Sequence, residues 1–184
     1  NTGTNYDGTV ICYDQAGNLL WASSYDGGGQ GEVFNDIAVD DQNNTYAAGA
    51  FFPASGALSD GLLVKYDPSG TILWDTTYDF SAATSDRDFF NSIALDNNGN
   101  AFVAGQANFN FVAAKYSPAG NPVWVQNYSH STNADSATVI KVDFNGDILV
   151  GGVFGQFIEQ DFGIVKYRND GTQVWDRRYS NVAG

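Results

Sequence analysis

The sequence is poor in the residues on which metal centres and disulfide frameworks depend. It has one cysteine and one histidine among 184 residues. An intrachain disulfide is therefore excluded, and an ordinary zinc site, which takes several Cys or His ligands, is not expected. Cys12 falls within a strand pattern, so we expect a buried strand residue there. His130 lies in a polar run, Ser129 to Asn133, and we expect a solvated loop side chain rather than a catalytic one.

Basic residues are also scarce, with 8 Lys and Arg against 21 Asp and Glu and a formal net charge of −13. Nucleic-acid backbones and anionic membrane surfaces both require clustered basic groups, so neither partner is expected. No apolar run reaches the ~18 residues of a membrane helix, and no basic-then-apolar start resembles a signal peptide. The chain opens in mid-pattern at Asn1, which suggests a piece cut from a longer protein.

What the sequence does contain is one unit, repeated. From Asp60 to Tyr78, apolar residues alternate with others on both sides of the turn Asp67-Pro68-Ser69-Gly70. Alternation of period two indicates strands, and Pro followed by Gly is typical of a tight turn. The same pattern returns in TVICYDQAGNLLWASSY, FVAAKYSPAGNPVWVQNY and GIVKYRNDGTQVWDRRY. Such recurrence predicts one structural module, copied.

The tryptophans mark the period of this repeat. Trp21, Trp74, Trp124 and Trp175 are separated by 53, 50 and 51 residues. Between them lies a second hairpin, whose turn in two units is Asn97 to Asn100 and Phe144 to Asp147. No segment has apolar residues at helical spacing. Four short antiparallel strands in about 50 residues are typical of a β-propeller blade, so we predict an all-β propeller.

The order of hairpins suggests where each blade begins. We predict one propeller segment over 1–184, with blades over 6–52, 60–106 and 110–156 and a half-blade over 161–180. Because propellers close with about four to eight blades, we expect this terminal half-blade to be completed by the remaining blades of a parent protein or by a second copy. Two copies would supply seven blades under this assignment.

The repeated residues resemble the SBBP repeat, a β-propeller repeat of bacterial secreted proteins. The resemblance rests on Lys65-Tyr66-Asp67-Pro68-Ser69-Gly70 with Trp74, and on Ile93-Ala94-Leu95-Asp96 with Gly99-Asn100 and Ala104-Gly105. It extends over nearly the whole chain. It implies a propeller and an extracellular or cell-surface location in a bacterium. It implies no reaction, because the repeat is defined by its architecture.

Two sets of repeated residues are expected to be structural. The four tryptophans occupy one strand position in every unit, so we expect them to pack between blades, and Trp74→Ala should cost roughly 3–5 kcal/mol. Gly99 and Gly146 occupy matching turn positions, and we expect positive φ at both.

Carboxylates and turn oxygens are the candidates for chemistry. Calcium is the ion that the turns suggest, with Asp96, Asn98, Asp143, Asn145 and Asp147 as ligands. The EF-hand pattern is absent, and the alternative is an ordinary hairpin turn. Acidic pairs suited to glycoside hydrolysis are Asp86 with Asp88 and Glu159 with Asp161, although Asp7 and Asp60 recur in register with Asp161, which favours a structural role.

Aromatic residues near the variable connections are candidates for ligand contacts. They would stack on sugars or fill the space between blades, and they are Phe51, Phe52, Phe80, Phe109 and Phe157. The interpretation we favour is a non-enzymatic, secreted or surface scaffold that presents loops to a protein or a glycan. The alternatives are a hydrolase-type domain that uses acidic loop residues, and an architectural spacer in a large surface protein.

Overall fold

The computed structural model describes residues 6–28, 30–54, 58–80, 87–129, 134–155 and 161–180. Within these ranges the regular secondary structure consists of fourteen β-strands and no helix. Their bounds are β1 Gly8–Tyr13, β2 Leu19–Tyr25, β3 Gly31–Val39, β4 Thr45–Phe52, β5 Asp60–Tyr66, β6 Ile72–Tyr78, β7 Asp88–Leu95, β8 Ala101–Ala107, β9 Asn110–Tyr116, β10 Pro122–Tyr128, β11 Ser136–Val142, β12 Ile148–Phe154, β13 Asp161–Tyr167 and β14 Gln173–Tyr179.

The strands form four antiparallel sheets in chain order. β1 and β2 pair as a two-stranded sheet, which we call the N-terminal hairpin. β3 to β6, β7 to β10 and β11 to β14 form four-stranded sheets, which we call blades 1, 2 and 3. Each strand pairs with its neighbours in sequence, as in a meander. The predicted all-β propeller architecture is confirmed.

The predicted blade boundaries are wrong. The units expected at 6–52, 60–106 and 110–156 are cut in two, because β4 pairs with β5 along its whole length while β2 and β3 belong to different sheets. The stretch 161–180 is not a half-blade: β13 and β14 complete blade 3 with β11 and β12. The two-stranded unit is the N-terminal hairpin instead, so two copies would not supply seven complete blades.

One connection carries the signal that would have corrected this assignment. β8 and β9 are joined by two residues, Asn108 and Phe109, with φ of 45 and 62. Two residues with positive φ make the tight turn that joins antiparallel neighbours within one sheet. A connection between blades must instead carry the chain from one sheet to the next. The links after β4 and β12 also join antiparallel neighbours within one sheet, but they are longer and do not indicate a hairpin in the sequence.

The opposite end of each sheet is closed by a repeated turn, which we call the turn face. In the β5–β6 turn, the Asp67 carboxylate accepts hydrogen bonds from the Ser69 and Thr71 amides at 2.8 and 2.9 Å. The Gly70 amide donates to the Asp67 carbonyl at 3.0 Å, and Gly70 has φ of 83. This is an Asx-type turn, in which Asp supplies the acceptor and Gly the left-handed backbone. Equivalent turns begin at Asp14, Asp40, Asp96 and Asp143.

Gly99 and Gly146 lie at the glycine position of this turn. Their φ values are 75 and 80, which agrees with the expected positive φ.

The first strands of successive blades bond to each other through a bulge. The bulged residues Asn35 and Asn91 donate their side-chain amides to the carbonyls of Phe90 and Ala137 in the next blade, both at 2.8 Å. Asp36, beside the first bulge, accepts the Ile93 amide at 3.0 Å. A bulge frees one residue from its own ladder. Here the freed residue joins neighbouring blades, and β3, β7 and β11 are therefore the innermost strands.

The core consists of apolar layers between successive sheets. Side-chain sizes are matched across these layers. Gly61 of blade 1 faces the Phe90 ring of blade 2, whereas the equivalent Phe111 of blade 2 packs with the small Ala137 of blade 3. Because interiors are close-packed, a large residue on one blade needs a small one opposite, and this pair has exchanged the two roles.

Two glycines with the same backbone conformation allow the cost of a positive φ to be measured apart from the cost of disturbed packing. Gly17 and Gly120 both have φ of +82, but a Cβ on Gly120 would lie 2.8 Å from the Trp74 ring, whereas one on Gly17 meets nothing within 4 Å. Gly17→Ala should cost about 1 kcal/mol of unfolding free energy. Gly120→Ala should cost clearly more, because it also displaces the indole. Urea denaturation at low protein concentration measures both, and equal losses would contradict the packing contribution.

Candidate functional site

The outer hairpin turns of blades 1, 2 and 3 each receive a tryptophan from the preceding sheet. The Nε1 groups of Trp21, Trp74 and Trp124 donate to the carbonyls of Pro68, Pro118 and Asn169, each at 3.0 Å. The rings lie on the turn glycines Gly70, Gly120 and Gly171, whose added Cβ atoms would approach them to 2.7–2.9 Å. The inter-blade packing expected of the tryptophans is therefore present for three of the four.

Trp175, in the last strand of blade 3, differs from the other tryptophans. Its ring contacts the Arg177 guanidinium at 5.9 Å, and within the described residues it lies on no turn. The tyrosines that end the outer strands also contact the next blade, except at the last sheet. Tyr25 and Tyr128 donate to Asp75 and Asp176 of the next blade at 2.9 and 3.1 Å, whereas burial is lost at the last such residue, Tyr179.

The docked and undocked tryptophans make a matched pair for mutation. Trp74 contacts the Tyr46 ring at 5.8 Å, bonds to Pro118 and covers Gly120, so Trp74→Ala should lower the unfolding free energy by about 3 kcal/mol. Trp175→Ala removes none of these contacts and should stay within about 0.5 kcal/mol of the wild type. Equal effects in chemical denaturation at low protein concentration would show that docking on the turn contributes nothing.

The opposite end of the sheets, where β3, β7 and β11 begin, we call the loop face. Each of these strands starts with a buried carboxylate in an equivalent position, at Glu32, Asp88 and Asp135. Asp88 accepts the amides of Phe80 and Asn108, which belong to two different connections. The carboxylate therefore anchors both connections at the base of the loop face.

The other two carboxylates each anchor one connection, Glu32 the link between β2 and β3 and Asp135 the link between β12 and β13. Glu32 accepts the Gly27 amide at 3.1 Å, and Asp135 accepts the Gly155 amide at 3.1 Å. We call Glu32, Asp88 and Asp135 the loop latches. Their own amides also bond backward, to the carbonyls of Tyr6, Ser59 and Phe109 respectively, at 2.6–2.8 Å. Sequence reasoning noted only Asp88, and as a catalytic candidate; the signal it missed is an acidic residue two before each Phe34/Phe90/Ala137 position.

Glu32 differs electrostatically from an exposed glutamate. Burial raises its pKa, and the nearby Asp26 and Asp7 charges act in the same direction, while the Gly27 amide opposes them. A carboxyl whose pKa is raised by folding binds its proton more tightly in the folded chain than in the unfolded one. Its contribution to stability therefore falls as the pH rises from the ordinary glutamate pKa through the folded value.

Replacing this charge tests the argument. Glu32→Gln keeps an oxygen for the Gly27 amide but removes the buried charge, so it should raise the urea midpoint at about pH 8 relative to the wild type. The gain should shrink toward about pH 4, where the wild-type carboxyl is protonated. Asp88→Asn is the control: two amides donate to its two oxygens, so it should destabilise at both pH values. A pH-independent effect of Glu32→Gln would contradict the prediction.

The turns proposed for calcium use their oxygens internally. The Asp96 carboxylate accepts the amides of Asn98 and Asn100 at 2.9 Å and the Asn100 side chain at 2.8 Å. Asp143 and Asp147 both pair with the Lys166 ammonium at 3.0 Å, and this pairing lowers the pKa of Asp143.

Asn145 donates its amide to Asp143, and within the described ranges no three acidic, His or Cys side chains form a group that would hold a metal. The Lys166 ammonium therefore already provides the positive charge beside the Asp143 turn.

Each of the two acidic pairs considered for hydrolysis includes one residue outside the described ranges. Asp161 pairs with Arg178 at 3.5 Å within blade 3, and Asp88 is a loop latch. Asp86, Glu159, His130 and Phe157 lie outside the described residues, so the pairs that include them remain predictions. Cys12, expected to be buried, is partly exposed.

The aromatic candidates divide between the core and the loop face. Phe51 packs against the layer between the N-terminal hairpin and blade 1, which matches the inter-blade role. Phe52, Phe80 and Phe109 are exposed. Phe109 combines this exposure with a φ of 62, an unusual conformation for a bulky residue.

Comparison with known proteins supports the fold from two directions. Residues 76–111 match the family model described as beta-propeller repeat, SBBP. The matched SBBP segment runs from the end of β6 through β7 and β8 into β9, and it contains the latch Asp88 and the bulged Asn91.

One solved structure, described as "Crystal structure of the eukaryotic initiation factor", is similar to this chain with a TM-score of 0.54 and 9% identity. The similarity covers 95% of this chain and 43% of that one. At this identity the likeness concerns the fold alone. No curated protein matches the chain, and the described residues include no helix that could span a membrane.

Proposed function

We propose that this chain is a non-enzymatic scaffold of a secreted or cell-surface bacterial protein, and that it presents its loop face to a protein or a glycan. The proposal rests on one observation: connections that differ between blades are anchored by carboxylates at equivalent positions. At equivalent positions, Glu32 and Asp88 anchor the connection that enters the blade, and Asp88 and Asp135 anchor the connection between its second and third strands. The connections above them differ in length and in sequence. A constant frame under variable loops is how many binding folds build their sites.

The polar groups of the frame support a scaffold over the hydrolase alternative. Among the acidic candidates with described surroundings, Asp96 binds backbone amides, Asp143 pairs with Lys166 and Asp161 pairs with Arg178. Ligand contacts would then come from the exposed aromatics of the loop face, such as Phe80 and Phe109. Flat aromatic rings suit both sugar faces and apolar protein surfaces. The extracellular location is supported by the resemblance to SBBP repeats.

A loop exchange tests the proposal. The probes are a glycan array and an array of bacterial and host surface proteins. In the test variant, residues 80–86 are replaced by a Gly-Ser linker of equal length, which keeps the latch Asp88. In the matched control, the turn Asp67-Pro68-Ser69-Gly70 is replaced by the sequence of its counterpart, Ser117-Pro118-Ala119-Gly120, on the turn face.

We expect binding that survives the turn exchange and is lost in the loop exchange, with both variants folded by circular dichroism. Binding lost equally in both would contradict a loop-face site. Hydrolysis of an arrayed glycan that requires an acidic side chain would establish the hydrolase alternative. Absence of binding to every probe would favour the architectural spacer. Protease accessibility on intact cells tests the location separately.

A further inference from the structure

The N-terminal hairpin exposes a face that blades 1, 2 and 3 bury. Ile11 and Tyr13 are 49% and 57% exposed, whereas their counterparts in β5, Val64 and Tyr66, are fully buried. In β5 this face is covered by the preceding sheet, with Trp21 stacked on Tyr66 at 6.2 Å. The described residues contain no sheet that covers the same face of β1. We call this surface, formed by Ile11, Tyr13 and the turn to Gly17, the receptor face.

The turn of the receptor face is built to take a tryptophan. Gly17 has the same positive φ, +82, as Gly120, and the Gly17 amide donates to the Asp14 carbonyl at 3.0 Å as in the other turns. A Cβ on Gly17 nevertheless meets nothing within 4 Å, whereas Gly70, Gly120 and Gly171 each lie under an indole. The carbonyl in the acceptor position, equivalent to that of Pro68, belongs to Gln15.

Blade 3 exposes the complementary surface. Ile164 is 47% exposed, although its counterparts Leu63 and Ala113 are fully buried against the next blade. Tyr179 is 67% exposed, and Trp175 lies on no turn of the described chain. Ile164, Trp175 and Tyr179, together with the apolar groove that Ile164 and Tyr179 line with Val139, form what we call the donor face.

The two faces also differ in charge. Residues 6–28 include three acidic residues and no basic one, whereas residues 161–180 hold four of the eight basic residues and three acidic ones. The formal charges are therefore −3 and +1. Opposite local charges steer two surfaces together and offset the repulsion between two chains of net charge −13.

We propose that the donor face of one copy of this chain binds the receptor face of a second copy. Trp175 lies on Gly17 and donates Nε1–H to the Gln15 carbonyl, as Trp21 does to Pro68. Ile164 packs against Ile11, as their counterparts Val10 and Val64 share one cluster. The template is the interface that the chain already repeats three times internally. This surface is distinct from the loop face of the proposed function.

We expect this head-to-tail contact to close two copies into a dimer. A head-to-tail contact gives a ring when its rotation closes and a filament when it does not. Each copy contributes four successive sheets, three of four strands and one of two. Two copies therefore make a ring of eight sheet positions, which is within the range of about four to eight known for propellers.

Sedimentation and light scattering of the full 184-residue chain test the proposal across a concentration series. The wild type should approach the mass of two 19.8 kDa chains. Trp175→Ala should weaken the dimer by roughly tenfold or more, while its melting temperature at low concentration stays at the wild-type value. Gly17→Ala, whose Cβ would occupy the position of the docked ring, should have the same effect on association.

Mixing the two variants distinguishes this contact from any other. Trp175→Ala retains a receptor face and Gly17→Ala retains a donor face, so the mixture should form a heterodimer through one intact contact although neither variant dimerises alone. A dimer that both variants leave unchanged would overturn the proposal. A wild type that stays monomeric at every concentration would also overturn it, and would point to a blade of a longer polypeptide as the occupant.

Discussion

The arrangement of the sheets depends on one interaction, an indole ring placed on the turn of the next hairpin. The ring of Trp74 buries apolar surface against Gly120, and its single N–H bonds to the Pro118 carbonyl. Burial alone would hold two sheets together without setting their angle. The directional N–H bond adds a fixed point at the outer edge of each pair of blades. Glycine is required in that turn for two reasons, the positive φ and the closeness of the ring.

Other contacts complete the interface from the outer edge to the inner strands. At the inner edge, Asn91 and Asp36 bond across to the next blade. Between the edges lie apolar layers in which large and small residues are matched, as in the exchange between Gly61 with Phe90 and Phe111 with Ala137. None of these contacts uses a side chain from the connections at the loop face. Those side chains are therefore free to differ between repeats, which is the property a binding surface needs.

Parts of the candidate site could be predicted from sequence, and the reason others could not is physical. Trp74 and Gly99 recur at one position in every unit or in matching turns, and each acts through local geometry. The loop latches are harder to recognise because they lie 56 and 47 residues apart, a less regular spacing than that of the tryptophans, and because Glu32 stands where other blades have aspartate. Acidic turns such as that of Asp143 suggested calcium because composition does not show that backbone amides and Lys166 already use the oxygens.

Sequence alone determined the strands, the turns, the repeat and the propeller class, since alternation, turn chemistry and period all act over a few residues. Only the tertiary structure decided which hairpins share a sheet. A period of about 50 residues is the same wherever counting starts, so the phase of the blades is invisible to it. The phase is set by non-local contacts: the β4–β5 ladder, the Asn35 bond to Phe90 and the docking of Trp21 on the next turn. These contacts placed the two-stranded hairpin at Gly8–Tyr25 and left the donor and receptor faces uncovered.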